Sequence, residues 1–145
     1  MPTPVRFDAD VSERLVAWTS SQTGLSVSSA VNRLVDEALR SEEHPGVVFR
    51  AGPSGRRAAL AGGPDVWEVI RSLRSARAEE PELGESEITA LVAGNAGITP
   101  RQVEMALEYW SAYPDEIDEQ VRANVRAEER VEAMLRRRSE LLRRP

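Results

Sequence analysis

Few side chains in this sequence could carry out catalysis, and they are scattered. His44 is the only histidine, and cysteine is absent. A thiolate nucleophile and a cysteine-ligated metal are therefore excluded, and a histidine site would lack a second imidazole. The carboxylates lie along charged helical segments, whereas acid–base chemistry needs titratable groups gathered in a pocket. We expect a protein that is not an enzyme, with no cofactor, metal or small-molecule ligand, and with His44 as an ordinary linker residue.

One glycine-containing stretch could be mistaken for a phosphate-binding loop. Gly52 and Gly55 precede Arg56 and Arg57, but a P-loop needs a longer spacing and a lysine before its helix. The stretch instead predicts the turn of a β-hairpin. The expected turn covers 51–55, and the strands cover 46–50 and 56–60. The two arginines could contact phosphate or an acidic partner, or simply be solvated at the hairpin tip.

Charge and hydropathy favour a soluble binding protein. All 19 basic residues are arginine and the formal net charge is -5, which argues against a protein built mainly to bind nucleic acid. The absence of lysine is typical of a GC-rich coding sequence. No apolar run approaches the roughly 18 residues of a membrane-spanning helix. The N-terminus lacks the pattern of a signal peptide, so we expect a cytoplasmic protein without membrane contacts.

The most regular stretch of the sequence is 24–39. Its apolar residues recur at the spacing of a core-facing helix, with Ser26 placed to cap it and Gly24 to end the preceding turn. Before it, 11–22 predicts a second amphipathic helix and 5–7 a short strand. A strand and two helices of this length bury too little apolar surface to fold alone. We therefore expect a homodimer through residues 3–41.

The spacing of Val5-Arg6-Phe7, Leu15, Trp18 and the segment 24–39 resembles the ribbon-helix-helix family of Arc- and CopG-like repressors. The resemblance implies an intertwined dimer whose paired strands enter the DNA major groove. By position it places five residues at DNA: Arg6 and Pro4 from the strand, and Ser26, Val27 and Ser28 from the first turn of the second helix. Prolines at 2 and 4 depart from the family, because they donate no hydrogen bond.

The middle of the chain predicts three helices after the hairpin. One begins near Pro64-Asp65 and continues to about 77, and its inward residues are expected to be Val66, Val69, Ile70 and Leu73. A short one covers 86–92, with a break expected at 94–97. The third is expected to place Val103, Ala106, Leu107 and Trp110 on one face. Thr99, Pro100 and Gln102 form a reciprocal capping pattern for the third. A short helix, a glycine turn and a capped helix outline a helix-turn-helix. Its outward carboxylates favour a structural or protein-binding use over DNA reading.

The run from His44-Pro45-Gly46-Val47 to Tyr109-Trp110-Ser111-Ala112-Tyr113-Pro114 resembles the domain of unknown function family 433. The resemblance covers residues 44–120 and implies a small helix-turn-helix-like domain of antitoxins that accompany PIN-like RNase toxins. An acidic insert around 79–85 departs from the family pattern.

The last segment, from Asp115 to Arg144, predicts one long helix with acidic residues at its start and arginines at its end, as the helix dipole favours. Its apolar stripe is interrupted. Such a helix is either solvated or docks on a partner and folds there. The residues expected to bind a partner are Val131, Met134, Leu135, Arg136, Arg137 and Arg138.

Together these patterns predict a mainly α-helical fold in three parts: a ribbon-helix-helix unit at 1–43, a helix-turn-helix-like domain at 44–113 and a C-terminal helix at 114–145. The expected function is that of an antitoxin that neutralises a PIN-like RNase by direct binding. It would repress its own operon by binding operator DNA as a dimer. Two alternatives stay open: a dimeric transcriptional regulator without a toxin, and an adaptor that binds no DNA.

Overall fold

The computed structural model describes residues 1–52 and 55–145, and these residues form a mainly helical protein with one two-stranded antiparallel hairpin. The chain divides into two compact units, Met1–Glu43 and His44–Pro145. The elements in chain order are α1 (Ala9–Ser20), α2 (Val27–Glu43), β1 (Val47–Gly52), β2 (Gly55–Leu60), α3 (Val66–Glu79), α4 (Glu85–Ala96), α5 (Pro100–Ala112) and α6 (Pro114–Leu142).

The first unit consists of the helices α1 and α2 and the eight residues before them. Gly24 has φ +73°, a left-handed conformation that a residue with a Cβ adopts at a cost. The Ser26 hydroxyl accepts a hydrogen bond from the backbone N–H of Ser29 at 3.1 Å, which is the expected cap of α2. The turn and the cap predicted from the sequence are confirmed, and α2 extends beyond the predicted stretch to Glu43.

Residues 1–8, which include the expected strand at 5–7, form neither a helix nor a strand in the single chain. Val5 and Phe7, the two apolar residues of the expected strand, are 67% and 40% exposed. A strand needs a neighbour to satisfy its backbone groups, and the ribbon expected from the sequence would pair strands from two chains. The ribbon therefore stays a prediction about the dimer.

The hairpin pairs β1 with β2 in antiparallel register from Val47 opposite Leu60 to Gly52 opposite Gly55. The expected five-residue turn is wrong in its extent, because Ala51, Gly52 and Gly55 belong to the paired strands. Strand pairing satisfies their backbone groups up to the tip of the hairpin. The remaining residues of that predicted turn, Pro53 and Ser54, lie outside the described residues.

The second unit folds around one apolar core that draws side chains from every element. The fully buried side chains include Leu60 from β2, Val66 and Val69 from α3, Tyr109 from α5 and Ile117 from α6. The predicted inward face of α3 is thus confirmed at Val66 and Val69. On α5 the most buried large residue is Tyr109, whereas Trp110, which was expected on the core face, is only partly buried.

Glycine shapes α4 at its end and not in its middle. The break expected at 94–97 is wrong: α4 continues through Gly94 to Ala96 and ends at Gly97, which has φ +68°. A single glycine inside a helix costs about 1 kcal/mol relative to alanine, which packing can outweigh. The next helix begins as predicted. The Thr99 hydroxyl accepts from the backbone N–H of Gln102 at 3.2 Å, and the side-chain Oε1 of Gln102 accepts from the backbone N–H of Thr99 at 2.9 Å.

The first half of α6 belongs to the second unit, although the sequence suggested a separate segment at 114–145. Ile117 is fully buried in the core. Asp118 and Glu128 form ion pairs with arginines of α3. Burial and pairing of these side chains need the neighbouring helices in place, which a segment read alone does not reveal. Within the described residues, no helix combines the length and apolar character needed to cross a membrane.

Candidate partner-binding surfaces

Large apolar side chains are exposed almost entirely at the two ends of the chain. The exposed ones are Met1, Val5, Phe7, Val11, Val16, Val27, Val35, Leu39, Val48, Val131, Met134, Leu135, Leu141 and Leu142. Of these, only Val48 lies between residue 39 and residue 131. Scattered apolar residues are ordinary on a protein surface, but contiguous patches mark sites of interaction. The two ends of the chain therefore contain the candidate surfaces, which we call the N-terminal face and the distal arm.

The N-terminal face is an apolar groove between the start of the chain, α1 and α2. Its volume is about 480 Å³. The residues that line it are Phe7, Val11, Arg14, Leu15, Trp18, Val31, Leu34, Val35 and Ala38. Only Thr19 and Ala30 are buried among the residues of this unit. The first unit thus has an amphipathic stripe without a core.

The residues expected at DNA occupy two places in the first unit. Ser26, Val27 and Ser28 lie together around the start of α2, and all three are exposed. Arg6 and Pro4 lie in the exposed segment before α1. This unit holds four arginines against seven acidic residues, a formal net charge of -3. The arrangement offers backbone N–H groups to a phosphate, but its overall charge opposes tight non-specific binding of DNA.

Two arginines of α3 and one tryptophan of α5 attach α6 to the second unit. Asp118 accepts hydrogen bonds from Trp110 Nε1 at 2.9 Å and from Arg74 Nη2 at 2.7 Å. These two donors lower the pKa of Asp118. Ten residues further along, Glu128 forms a two-bonded pair with Arg71, with both distances at 2.7 Å. The Arg71 guanidinium lowers the pKa of Glu128.

The distal arm consists of the part of α6 after Glu128. Val131, Met134 and Leu135 are between 54% and 66% exposed, so the sequence-predicted anchors lie on the surface. Arg136, Arg137 and Arg138 are also exposed. These three form no ion pair with any residue in 1–52 or 55–145.

Leu141 and Leu142 also belong to the distal arm, and both are exposed. Neither residue is among those that the sequence predicted to bind a partner. Their spacing of seven residues from Met134 and Leu135 was the signal that could have identified them.

An aromatic cluster makes His44 part of the second unit. The His44 ring lies edge-on to Tyr109, with 5.2 Å between centroids, and to Tyr113 at 6.0 Å. Phe49 contacts Tyr109 from the hairpin. The Tyr109 hydroxyl donates a hydrogen bond to Glu116 Oε2 at 3.0 Å. The expectation that His44 is an ordinary linker residue is wrong, because α5 brings tyrosines against it.

Arg57 is bound to Asp65 and is not solvated at the hairpin tip. Asp65 is buried, and its carboxylate accepts from Arg57 Nε and from Trp67 Nε1. A Cβ on Gly52 would overlap the Arg57 guanidinium, so a larger residue there would require the end of the Arg57 side chain to shift. Arg50 in turn donates to the carbonyls of Leu60 and Gly63. These contacts hold the hairpin on α3.

In the part of the chain that the structure describes, no group of three or more His, Cys, Asp or Glu residues is placed to hold a metal ion. Comparisons with protein-family models, with curated proteins and with solved structures find no match to this chain.

Proposed function

We propose that this protein is an antitoxin that acts as a homodimer. In this proposal the N-terminal faces of two copies pair, the paired units bind the operator DNA of the protein's own operon, and the second unit with the distal arm binds and neutralises a PIN-like RNase. The observation that carries the proposal is the placement of exposed apolar residues at both ends of a chain whose middle has a closed core.

The burial pattern of the first unit supports the dimer. Leu15, Trp18, Val31 and Leu34 follow one stripe and line one groove, yet none of them is fully buried. About 25 cal/mol is gained for each Å² of apolar surface removed from water, so covering this stripe is strongly favourable. A second copy presents the same stripe, and an isologous pair buries both at once. The resemblance to the ribbon-helix-helix family adds the paired strands at residues 5–7.

The distal arm supports the toxin-binding part of the proposal. A PIN-like RNase has a carboxylate-lined active site, and the arm offers apolar anchors beside arginines that form no internal ion pair. Amphipathic helices bind in apolar grooves through anchors at such spacings. The resemblance of residues 44–120 to antitoxin domains points to the same class of partner.

The neutralisation experiment uses the product of the neighbouring open reading frame, co-expressed with the full chain and with a chain that ends at Glu128, which keeps the buried Ile117 and lacks only the distal arm. We expect co-purification and loss of RNase activity with the full chain only. Met134→Ala combined with Leu135→Ala should weaken the complex about thirtyfold, since truncated anchors of this kind cost about 2 kcal/mol. Full neutralisation by the chain ending at Glu128 would show that the arm is not part of the interface.

The DNA experiment is a mobility shift on the region upstream of the gene. If Arg6 bonds a guanine edge, Arg6→Ala should weaken DNA binding by about 1–3 kcal/mol, which reduces the retardation. Arg33→Ala, which changes an exposed arginine of α2, is the matched control for loss of one charge. Equal retardation by wild type and Arg6→Ala would place the N-terminal segment outside the DNA interface.

One observation favours a second function, a dimeric adaptor that binds no DNA. The first unit has a net charge of -3, and prolines at 2 and 4 limit the ladder of a ribbon. An adaptor would dimerise and bind its protein partner normally, yet would not retard any DNA in moderate salt. The same mobility shift therefore separates the two functions.

A further inference from the structure

The distal arm has an apolar stripe with arginines along one edge, and this arrangement restricts what the arm can bind. Five apolar residues of the arm are exposed: Val131, Met134, Leu135, Leu141 and Leu142. At 3.6 residues per turn they occupy about a third of the helix circumference. Glu128 is the last residue of α6 for which the structure shows an ion pair with α3. About four turns of helix beyond it are therefore available to a partner.

Arginines line one edge of this apolar stripe. Arg130 and Arg137 are seven residues apart, so they lie two turns apart on the same side of the helix, next to Met134 and Leu141. The opposite edge has Glu132 and Ser139. Neither Arg130 nor Arg137 forms an ion pair with a residue in the described ranges. We call these two residues the arginine row.

A third arginine, Arg138, lies within the stripe itself. On the helix it falls between Val131, Met134 and Leu142, four or seven residues from each. Any surface that covers the stripe must also cover this guanidinium. A buried cation is tolerated only when it is paired and hydrogen-bonded. The surface that covers the arm must therefore supply a carboxylate at this position.

Resting on the function proposed above, we infer that the distal arm binds a protein groove with an apolar floor, one carboxylate in that floor and further carboxylates along a single lip. The floor covers Val131, Met134 and Leu142, the floor carboxylate pairs with Arg138, and the acidic lip pairs with the arginine row. Under this inference, the arginine row and Arg138 contribute to affinity. Arg136, which the sequence placed among the partner-binding residues, lies on the side of the helix opposite the apolar stripe and does not.

The same geometry opposes two other occupants. In an antiparallel pair of arms, the arginine row of one copy would face the arginine row of the other, and the like charges would repel. In a parallel pair the arginine row would face Leu135 and Leu142, which offer it no carboxylate. An anionic membrane attracts basic amphipathic helices, but Arg138 would be buried at the level of the acyl chains. The charge of the arm complements an acidic protein groove better than either surface.

The experiment measures the affinity of the full chain for the product of the neighbouring open reading frame by titration calorimetry. The test variant is Arg130→Glu with Arg137→Glu, and the matched control is Arg136→Glu with Arg143→Glu. Both double variants change the net charge equally, within α6 or at Arg143, the residue that directly follows it. We expect the test variant to bind at least thirtyfold more weakly and the control to stay within about threefold of wild type. Far-ultraviolet circular dichroism verifies that both retain α6.

A third variant, Arg138→Leu, should lower the affinity of the arm for an acidic protein groove and raise its affinity for a membrane or for a second arm. It should weaken binding at least tenfold, because the carboxylate in the groove floor loses its partner. A membrane or a second arm would instead bind the leucine variant more tightly. The same proteins are therefore tested on vesicles of phosphatidylserine and phosphatidylcholine, and by light scattering for association through the arm.

The outcomes separate this inference from the proposed function. Binding that is lost equally in both double variants, or in neither, overturns the inference and leaves the antitoxin function intact. Tighter binding by Arg138→Leu to the neighbouring product also overturns it, as does binding of the wild-type chain to vesicles or self-association of the wild-type chain through the arm. A wild-type chain that does not bind the neighbouring product overturns the proposed function and this inference together.

Discussion

The two units of this chain bury their apolar residues to very different degrees. The first unit buries only Thr19 and Ala30, whereas the second buries a continuous core that includes Leu60, Tyr109 and Ile117. Both have amphipathic helices. The difference arises because a two-helix unit has no second layer to cover its stripe, while the second unit has a hairpin and four helices that enclose theirs. An amphipathic helix thus predicts burial, but not whether the cover comes from the same chain.

The contrast predicts that the stability of the first unit depends on a second copy, and Leu34→Asp should show the largest effect. In a symmetric pair the change places two carboxylates in an apolar interface. Burying them should destabilise the dimer by about 5 kcal/mol or more. We expect a monomer by light scattering at micromolar concentration, with loss of helix. Asn32→Asp, on the exposed side of α2, should leave the dimer intact. A Leu34→Asp chain that remains dimeric would break the contrast.

In the second unit, Tyr109→Ala should lower the free energy of unfolding by about 3–5 kcal/mol, the cost of removing a buried aromatic ring. Because this core lies within one chain, the loss should be independent of protein concentration. Tyr109→Phe keeps the ring but removes the hydroxyl that bonds Glu116, and it should cost about 1 kcal/mol. The unfolding free energies of both variants are measured by urea denaturation, with hydrogen exchange of the α5 amides as the readout. A concentration-dependent midpoint for α5 would contradict the assignment of this core to a single chain.

Asp65→Ala tests whether contacts within one chain stabilise the second unit where the hairpin meets α3. The change leaves Arg57 and Trp67 without their shared acceptor, and we expect a loss of about 2–4 kcal/mol in the second unit. Asp65→Asn retains an acceptor for Trp67 but not the charge, so its cost should be smaller. Both follow from urea midpoints at two protein concentrations. A loss below about 1 kcal/mol for the alanine variant would show that the ion pair contributes little.

The smallest effect concerns pH. Trp110 and Arg74 lower the pKa of Asp118 in the folded chain. The resulting stabilisation is present above the ordinary carboxyl pKa of about 4 and is lost as pH falls through the folded-state pKa. Asp118→Asn should therefore flatten the loss of melting temperature between pH 6 and pH 3. The difference should stay below about 1 kcal/mol, because the pair is partly exposed. An unchanged pH profile in Asp118→Asn would remove this pair as an anchor of α6.

Local features of the fold were predictable because each depends on a few neighbouring residues. The cap at Ser26, the left-handed turn at Gly24 and the start of α5 at Thr99 follow from hydrogen bonds within one turn of chain. The inward face of α3 follows from periodicity. The break predicted at Gly94 failed because packing outweighs the modest cost of one glycine in a helix.

Contacts between distant segments were not predictable. His44 meets Tyr109 only because α5 packs on the residues before the hairpin, and Arg57 meets Asp65 because the hairpin folds onto α3. For the candidate surfaces, the sequence identified Val131, Met134 and Leu135 as possible anchors but left a solvated helix equally open. The structure shows these residues exposed beyond the last ion pair of α6.

The sequence by itself determined which segments are helical, where the caps at Ser26 and Thr99 lie, which stripe of each helix is apolar, and that the residues for catalysis are few. These properties depend on backbone geometry and side-chain type over short stretches. Only the tertiary structure decided which stripes are covered, because burial depends on what other elements of the chain pack against them. It covered the stripes of α3 and α5 and left those of α1, α2 and the distal arm exposed, where water contact makes binding to a partner favourable.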